Sequence, residues 1–483
     1  LCGASARSRR RCPLSGALSG LPDEALNISL FQDTIAALAT PAGRGAVALL
    51  RLSGPRAGDV LLSICPSLRG ALPRPRVQRL LPIVHPETAE LLDRGLVTWF
   101  PKPGSYTGEN TVEVTCHGGV VTPQLILDAF LAAGARTALP GEFTHRAVLN
   151  GKLDLLQAEA VLDLIDGRSR ALHRAAINQL DRGLSHRIDR LRGAVLQVEA
   201  LVVYGIDFPE EDEPPVPPAR IREAAQDVIR SIDGLLATAH QGELLREGAL
   251  VVLAGEPNSG KSSLFNALLG FERAIVTEVP GTTRDAIEGQ AEVGGFPMRL
   301  IDTAGLRETS DRVEGMGIEV ARRYLAAADV ILFCIPSSRD LQVAESEFLA
   351  SADRSRLIVV RTMADLEGTA LLPSTQHGDA VSVSSLSGEG LDGLGRALVS
   401  LAFGELVGEA AGEPIITRQR HARELSAARD EVRLFLDAMN AHLPMEFAAT
   451  HLRSAAVRLE AIVGAITSDD VLGRLFGEFC VGK

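Results

Sequence analysis

Gly255-Glu-Pro-Asn-Ser-Gly-Lys-Ser262 fits the pattern GxxxxGK[ST] and lies between an apolar run, Ala249–Ala254, and a helical run, Ser262–Leu269. A strand, a glycine-rich turn and a helix form the context in which this pattern binds phosphate. Glycines let backbone N–H groups wrap an anion, and the helix N-terminus adds positive potential. In such a loop Lys261 reaches the outer phosphates and the Ser262 hydroxyl reaches Mg²⁺. The motif forces an α/β unit. Met298–Ile301, Val330–Ile335, Leu357–Val360 and Ala380–Val383 are further β-rich runs, each followed by helical sequence. That alternation predicts a doubly wound, mostly parallel sheet with helices on both faces.

Four more elements follow in order. Asp302-Thr303-Ala304-Gly305 is a DxxG element, whose Asp orients Mg²⁺ through water and whose Gly N–H meets the γ-phosphate. Between it and the phosphate loop lies Pro280-Gly281-Thr282-Thr283-Arg284-Asp285, where a threonine caps Mg²⁺. Thr362-Met363-Ala364-Asp365 stands where GTPases carry [NT]KxD; the Asp365 carboxylate accepts from guanine N1–H and the 2-amino group, which adenine does not offer. Ser384-Ser385-Leu386 stands where SA[KL] closes over the base. The set specifies GTP over ATP, with Asn258, Ser259, Gly260 and Ser263 completing the phosphate loop. Two departures stand out. Met363 replaces the lysine that packs over the base, and Leu306 occupies the place of the glutamine that orients water in many GTPases. Catalysis then needs another polar group and a cation against the transition-state charge; Arg307, Glu308, Asp311 and Glu314 are nearby, and spacing alone does not choose among them.

The flanking sequence sets the remaining organisation. Residues 1–32 read as a disordered leader; 1–22 hold four Arg and no acid, so a mitochondrial transit peptide is the alternative to a cytoplasmic chain. Residues 33–149 form an α+β unit with strands Ala46–Leu52, Gly95–Phe100 and Thr111–Cys116 and a helix over 121–133. Residues 150–246 are helical, with stripes Leu153, Leu156, Ala160, Leu164, Ile165 and Leu191, Val195, Val198, Val202. The run 207–218, with five acids and five prolines, is a solvated connector. The α/β unit spans 247–405, and 406–483 is helical again, so the α/β unit is expected to be inserted into a helical domain. Six scattered Cys without a CxxC pair exclude a disulfide framework and fit a reducing compartment. No apolar run approaches the ~18 residues of a membrane span. The net charge of −12 argues against a purely electrostatic nucleic-acid binder but leaves room for a local basic face.

Asn258 in the phosphate loop, PGTTRD, DTAGLRE and the terminal Phe479-Cys-Val-Gly-Lys483 together resemble the MnmE (TrmE) family of tRNA-modification GTPases. So do Gly43-Arg-Gly45, Ser105-Tyr-Thr-Gly-Glu109, Pro140-Gly-Glu-Phe143, Asn150-Gly-Lys-Leu-Asp154 and Thr467-Ser-Asp-Asp470, and the likeness runs from about Asp33 to Lys483. It implies an N-terminal folate-binding domain that dimerises, a helical domain and an inserted Ras-like G domain. It implies K⁺-dependent hydrolysis across a homodimer, with Asn258, Thr277, Val279 and Thr282 on K⁺ and Ser262 and Thr283 on Mg²⁺. Glu278 belongs to the same nucleotide-contacting switch, and Glu314 positions the water. Arg51, Glu113, Lys152 and Lys483 match contacts to 5-formyl- or 5,10-methylene-tetrahydrofolate. The family works with the FAD-dependent partner MnmG, as a heterotetramer, to install a carboxymethylaminomethyl or aminomethyl group on C5 of tRNA wobble uridine 34.

Cys480 reads either as a nucleophile, given a lowered thiol pKa beside Lys483, or as a packed tail residue. For tRNA the sequence offers Arg168–Arg192, with seven Arg against Asp181 and Asp189, and a second basic helix with Arg418, Arg420, Arg423, Arg429 and Arg433; the alternative is a solvated face with intrahelical ion pairs. Two other functional classes compete: a ribosome-assembly switch of the Era/Der type, and a one-carbon-transfer enzyme with a vestigial GTPase. Neither a second GxxxxGKS nor a KH-like GxxG follows the G domain, against the first, and intact Lys261, Ser262, Thr283 and Asp302 oppose the second.

Overall fold

The β-rich runs pair into two six-stranded sheets. The computed structural model describes residues 33–207, 216–271, 287–303, 314–366, 380–407, 414–464 and 475–477, with Phe479 and Gly482. The chain divides into two units, Leu1–Asp154 with Thr467–Lys483, and Leu155–Ile466.

In the first unit β1 (Ile35–Leu38), β2 (Val47–Ser53), β3 (Arg79–Val84), β4 (Leu91–Phe100), β5 (Thr111–His117) and β6 (Arg136–Thr137) lie in the order β3-β4-β5-β2-β1-β6. All neighbours are antiparallel except β1 and β6. Alternation along β2 sends Leu50 and Leu52 into a core with Val112 and Val114, covered by α1 (Ala57–Ile64) and α2 (Thr122–Ala132). Arg51 projects from the other face, where α3 (Glu142–Leu149) contributes Phe143 to a smaller core with Ile35, Ala37 and Ala138. Strands β1 and β3 escape the sequence reading: β1 is four residues long, and β3 is an edge strand interrupted by Pro82.

The second unit opens with α4 (Leu155–Asp166), α5 (Arg170–Leu180), α6 (Gly183–Asp207), α7 (Pro218–Leu236) and α8 (Ala239–Glu247). Leu191, Val195, Val198 and Val202 are all buried along α6, as their spacing predicts. On α4 the expected stripe holds at Leu156 and Ala160, which are fully buried, and fails at Ile165, which is exposed; Leu155, Glu159, Leu162 and Asp163 complete the buried face.

The G sheet follows: β7 (Ala249–Ala254), α9 (Lys261–Phe271), β8 (Ile287–Val293), β9 (Phe296–Asp302), α10 (Glu314–Ala327), β10 (Val330–Pro336), α11 (Val343–Ser351), β11 (Leu357–Thr362), β12 (Val381–Ser382) and α12 (Leu391–Val407). The order is β12-β11-β10-β7-β9-β8, parallel except for the β8 edge. Every residue of β10 is buried, as a central parallel strand requires. The chain then returns to α13 (Gln419–Asn440) and α14 (Met445–Val463), which close a four-helix core with α6 and α7 through Leu425, Phe435, Leu452 and Leu459. The multidomain α/β and α architecture, with a G domain inserted between two helical segments, is therefore the observed one. Ala171, Leu244 and Leu245 of the helical segments share the core of the G sheet.

Candidate functional site

The phosphate loop is built by conformations few residues tolerate. Gly255 has φ +139, and a Cβ there would lie 2.4 Å from the Cys334 carbonyl oxygen. Gly260 has φ +84 and would meet Thr362 at 3.2 Å. Between them Asn258 takes φ +61 and stands exposed on the rim, a left-handed conformation that asparagine accepts more readily than most residues. Ser259 is buried, and its carbonyl accepts from Thr362 Oγ1 at 2.7 Å, tying the loop to the base-recognition segment.

Lys261 is almost fully buried, and its Nζ donates to the Glu256 carbonyl at 2.7 Å. Ser262 Oγ donates to Asp302 Oδ2 at 2.6 Å. Leu253 pairs with Asp302 across β7 and β9, and Thr303 Oγ1 donates to the Leu253 carbonyl at 2.7 Å. A hydroxyl and a carboxylate converging beside a helix N-terminus and a buried ammonium form an oxygen donor set suited to Mg²⁺. Cys334 beneath the loop is inert, because burial pushes its thiol up to about 12.

A pocket lined by Gly260, Ser263, Thr362, Met363, Asp365, Ser385 and Leu386 lies beside the loop. Ser384 is buried and accepts from the Leu386 and Ser387 N–H groups, turning the segment. Met363 (φ +57) lays its Cε 3.5 Å from where a Gly260 Cβ would sit, so the thioether covers the loop where a lysine would bond it. An added charge-assisted bond contributes about 1.5–3 kcal/mol. Met363→Lys is expected to tighten GDP binding about tenfold, read by titration with fluorescent GDP; unchanged affinity would contradict this role.

Thr277, Glu278, Val279, Pro280, Gly281, Thr282, Thr283, Ala304, Gly305, Cys480 and Lys483 lie outside the described residues, as does the side chain of Glu314, the first residue of α10.

In the first unit Arg51 and Glu113 face each other across β2 and β5, and the guanidinium bonds the carboxylate at 2.8 and 3.0 Å. Arg51 also lies over the rings of Tyr106 and Phe143, at 5.5 and 5.8 Å from their centroids. Lys152 runs across Gly108, in the loop whose Thr107 bonds Ser53 at 2.7 Å. The three candidates thus gather around the 105–109 loop. A cation, a carboxylate and the half-buried Tyr106 ring suit a flat heterocycle with donor and acceptor edges. Beneath them is a network that single-residue reasoning missed. Fully buried Arg146 bonds Asp33, Glu109 and Glu142, and Arg136 bonds Asp33 and Glu142. Burial pushes the Glu142 carboxyl up, but Arg136, the Leu139 N–H and Arg146 together hold it below the usual range. Glu109 and Glu142 stand inside two motifs quoted above, which therefore serve the scaffold. On the tail, Phe476 stacks on His145 at 4.6 Å, and a Cβ on Gly482 would lie 2.6 Å from the Leu38 carbonyl, so both flanks of Cys480 are seated on this unit.

Most of the second basic helix is tied up in ion pairs. Arg418 is buried on Asp163, Arg420 bonds Glu159, and Arg429 and Arg433 pair with Asp233 and Asp430, whereas Arg423 is exposed and bonds Gln419. Among the described residues no helix is long and apolar enough to cross a membrane.

Residues 34–152 match the family model "GTP-binding protein TrmE N-terminus", and residues 155–480 match the "MnmE helical domain". The chain is 40% identical over 450 residues to a tRNA modification GTPase MnmE of Akkermansia muciniphila, covering 93% of this chain and 99% of the relative. It is 40% identical over 469 residues to that of Moorella thermoacetica, covering 94% and 100%. Among solved structures, the G domain of the T. maritima FeoB iron transporter is 32% identical with a TM-score of 0.26, over 32% of this chain and 98% of that one.

Proposed function

The chain belongs to the MnmE family of tRNA-modification GTPases, and from that premise we propose that it couples K⁺-dependent GTP hydrolysis to modification of a wobble uridine. The observation that carries the reading is the phosphate loop. Asn258 stands exposed and left-handed on its rim, buried Lys261 is fixed within it, and Ser262 meets Asp302 at 2.6 Å.

In this reading Lys261 and the loop N–H groups hold the β- and γ-phosphates, and Asp365 selects guanine. Ser262, with Thr283, would hold Mg²⁺. Asn258, with Thr277, Val279 and Thr282, would hold K⁺. When bound, the two cations offset the charge that develops between the β- and γ-phosphates. Glu314 orients the attacking water in the absence of a glutamine at position 306. Two copies of the chain bring their G domains together. Arg51, Glu113 and Lys152, with Lys483 of the tail, would hold a tetrahydrofolate carrying the one-carbon unit, in a domain spanning 33–149. An FAD-dependent MnmG partner completes the reaction on tRNA in the cytoplasm.

The test is reconstitution. The purified chain, the flavoprotein, NADH, methylene-tetrahydrofolate, GTP, KCl, a tRNA transcript and either ammonium or glycine as the amine donor are incubated, and the digested nucleosides are analysed by mass spectrometry. A C5-aminomethyl-type uridine that requires both proteins and GTP is expected. GTP turnover without any modified nucleoside would favour a regulatory GTPase instead.

A further inference from the structure

The chain carries a net charge of −12, yet residues 168–192 hold seven Arg against two Asp. The structure sorts these cations. Arg168 bonds Gln290, Arg170 reaches Glu292 at 3.8 Å, and Arg192 pairs with Glu460. The one ion pair that closes within the stretch among the described residues is Arg182 with Asp189, at 3.9 Å. Arg174 and Arg190 are exposed and Arg187 half-buried, and none of the three has a carboxylate partner among the described residues.

Helical spacing puts the unpaired groups together. On α6 Arg190 is three residues from Arg187 and four from His186, so it neighbours both, and on α5 His173 and Arg174 are both exposed. The buried residues are Leu172, Ala176 and Gln179 on α5 and Leu184, Ile188 and Leu191 on α6. Arg174 and Arg190 therefore stand on the solvent side, and Arg187 at the margin of the packed face, three residues from Leu184 and four from Leu191. A solvated helix in an acidic protein would ordinarily carry interspersed acids, as α13 does around Arg429 and Arg433. Here the guanidinium groups stay unneutralised, and planar forked donors suit phosphate oxygens.

We propose that the outer face of α5 and α6, centred on Arg174, Arg187 and Arg190, holds the phosphate backbone of the RNA substrate, while Arg418, Arg420, Arg429 and Arg433 serve the fold. This rests on the functional reading above. It places the RNA beside the G domain, because the Ala171 N–H donates to the Gly295 carbonyl between β8 and β9 at 2.9 Å. Guanosine triphosphate state and RNA grip would then meet at α5.

The experiment uses the full chain with Arg174, Arg187 and Arg190 each changed to Glu, and Arg429→Glu with Arg433→Glu as the control pair. tRNA affinity is read by filter binding across a salt series. The triple variant is expected to bind at least about tenfold more weakly. Its plot of log affinity against log salt should be shallower by about 2–3, near one counterion per lost phosphate contact. The control pair should stay within about twofold, and basal GTP hydrolysis of the triple variant should match the parent, showing a folded G domain. Parent-like affinity and salt slope in the triple variant would overturn the placement alone. So would retained tRNA binding with loss of an acidic protein partner. Absence of tRNA binding by the parent chain would overturn the functional reading with it.

Discussion

Lys261→Ala is expected to lower kcat for GTP hydrolysis by about 10²–10³, the loss found when one preorganised donor is taken from a developing charge. The ammonium is held in place. It is almost fully buried, its Nζ donates to the Glu256 carbonyl at 2.7 Å, and Ser259 Oγ lies 3.4 Å away. A group fixed in this way needs no reorganisation when charge builds on the γ-phosphate. The neighbouring Cys334 offers no replacement, since burial keeps it a neutral thiol. Steady-state hydrolysis at saturating GTP is the measurement, and a loss below tenfold would show that Lys261 does not face the reacting phosphate.

Glu159→Ala is expected to destabilise the Leu155–Ile466 unit by about 3–5 kcal/mol, the cost of breaking a buried ion pair from one side. Glu159 accepts from His421 Nε2 at 2.6 Å and from Arg420 at 3.0 and 3.2 Å, with Arg418 at 4.0 Å. Arg420 also donates to the Ala461 and Ile462 carbonyls at the end of α14, and Arg418 bonds Asp163. Removing the carboxylate leaves Arg420 without its carboxylate and the buried His421 Nε2 without its acceptor. Burial alone would push Glu159 up, but His421, Arg420 and Arg418 outweigh it and bring its pKa to about 2. Burial pushes the fully enclosed His421 down, against the opposing pull of the Glu159 carboxylate. The folded pKa of Glu159 is thus depressed below 4.5. Its stabilisation is fully present above that value and is lost as pH falls through about 2. Urea unfolding at neutral pH and in acid checks both parts. A penalty under about 1 kcal/mol, or an acid profile unchanged by Glu159→Gln, would contradict the account.

The phosphate loop was legible because its chemistry is local. Eight consecutive residues place the glycines, the ammonium and the hydroxyl, and β7 ends where the apolar run ends, at Ala254. The Arg51–Glu113 pair was reached only through family resemblance, since an Arg and a Glu 62 residues apart carry no pairing signal until strand register sets them opposite. The Glu159 cluster left a trace that went unread. Leu155, Glu159 and Asp163 recur every four residues, so two acids occupy the apolar stripe of α4, and charged residues enter such a stripe when partners await them. The basic helices show the opposite failure. Composition made Arg168–Arg192 and Arg418–Arg433 look alike, and only the carboxylates contributed by α4, α7 and α13 itself set Arg418, Arg420, Arg429 and Arg433 apart from Arg174, Arg187 and Arg190.

The most direct test is GTP hydrolysis by the purified chain in KCl against NaCl, at equal ionic strength and with Mg²⁺. Strong turnover in K⁺ alone, lost in Asn258→Ala and in Glu314→Ala, is the predicted result. Equal slow rates in both salts would contradict a cation held at Asn258 and leave a GTPase that awaits an outside activator.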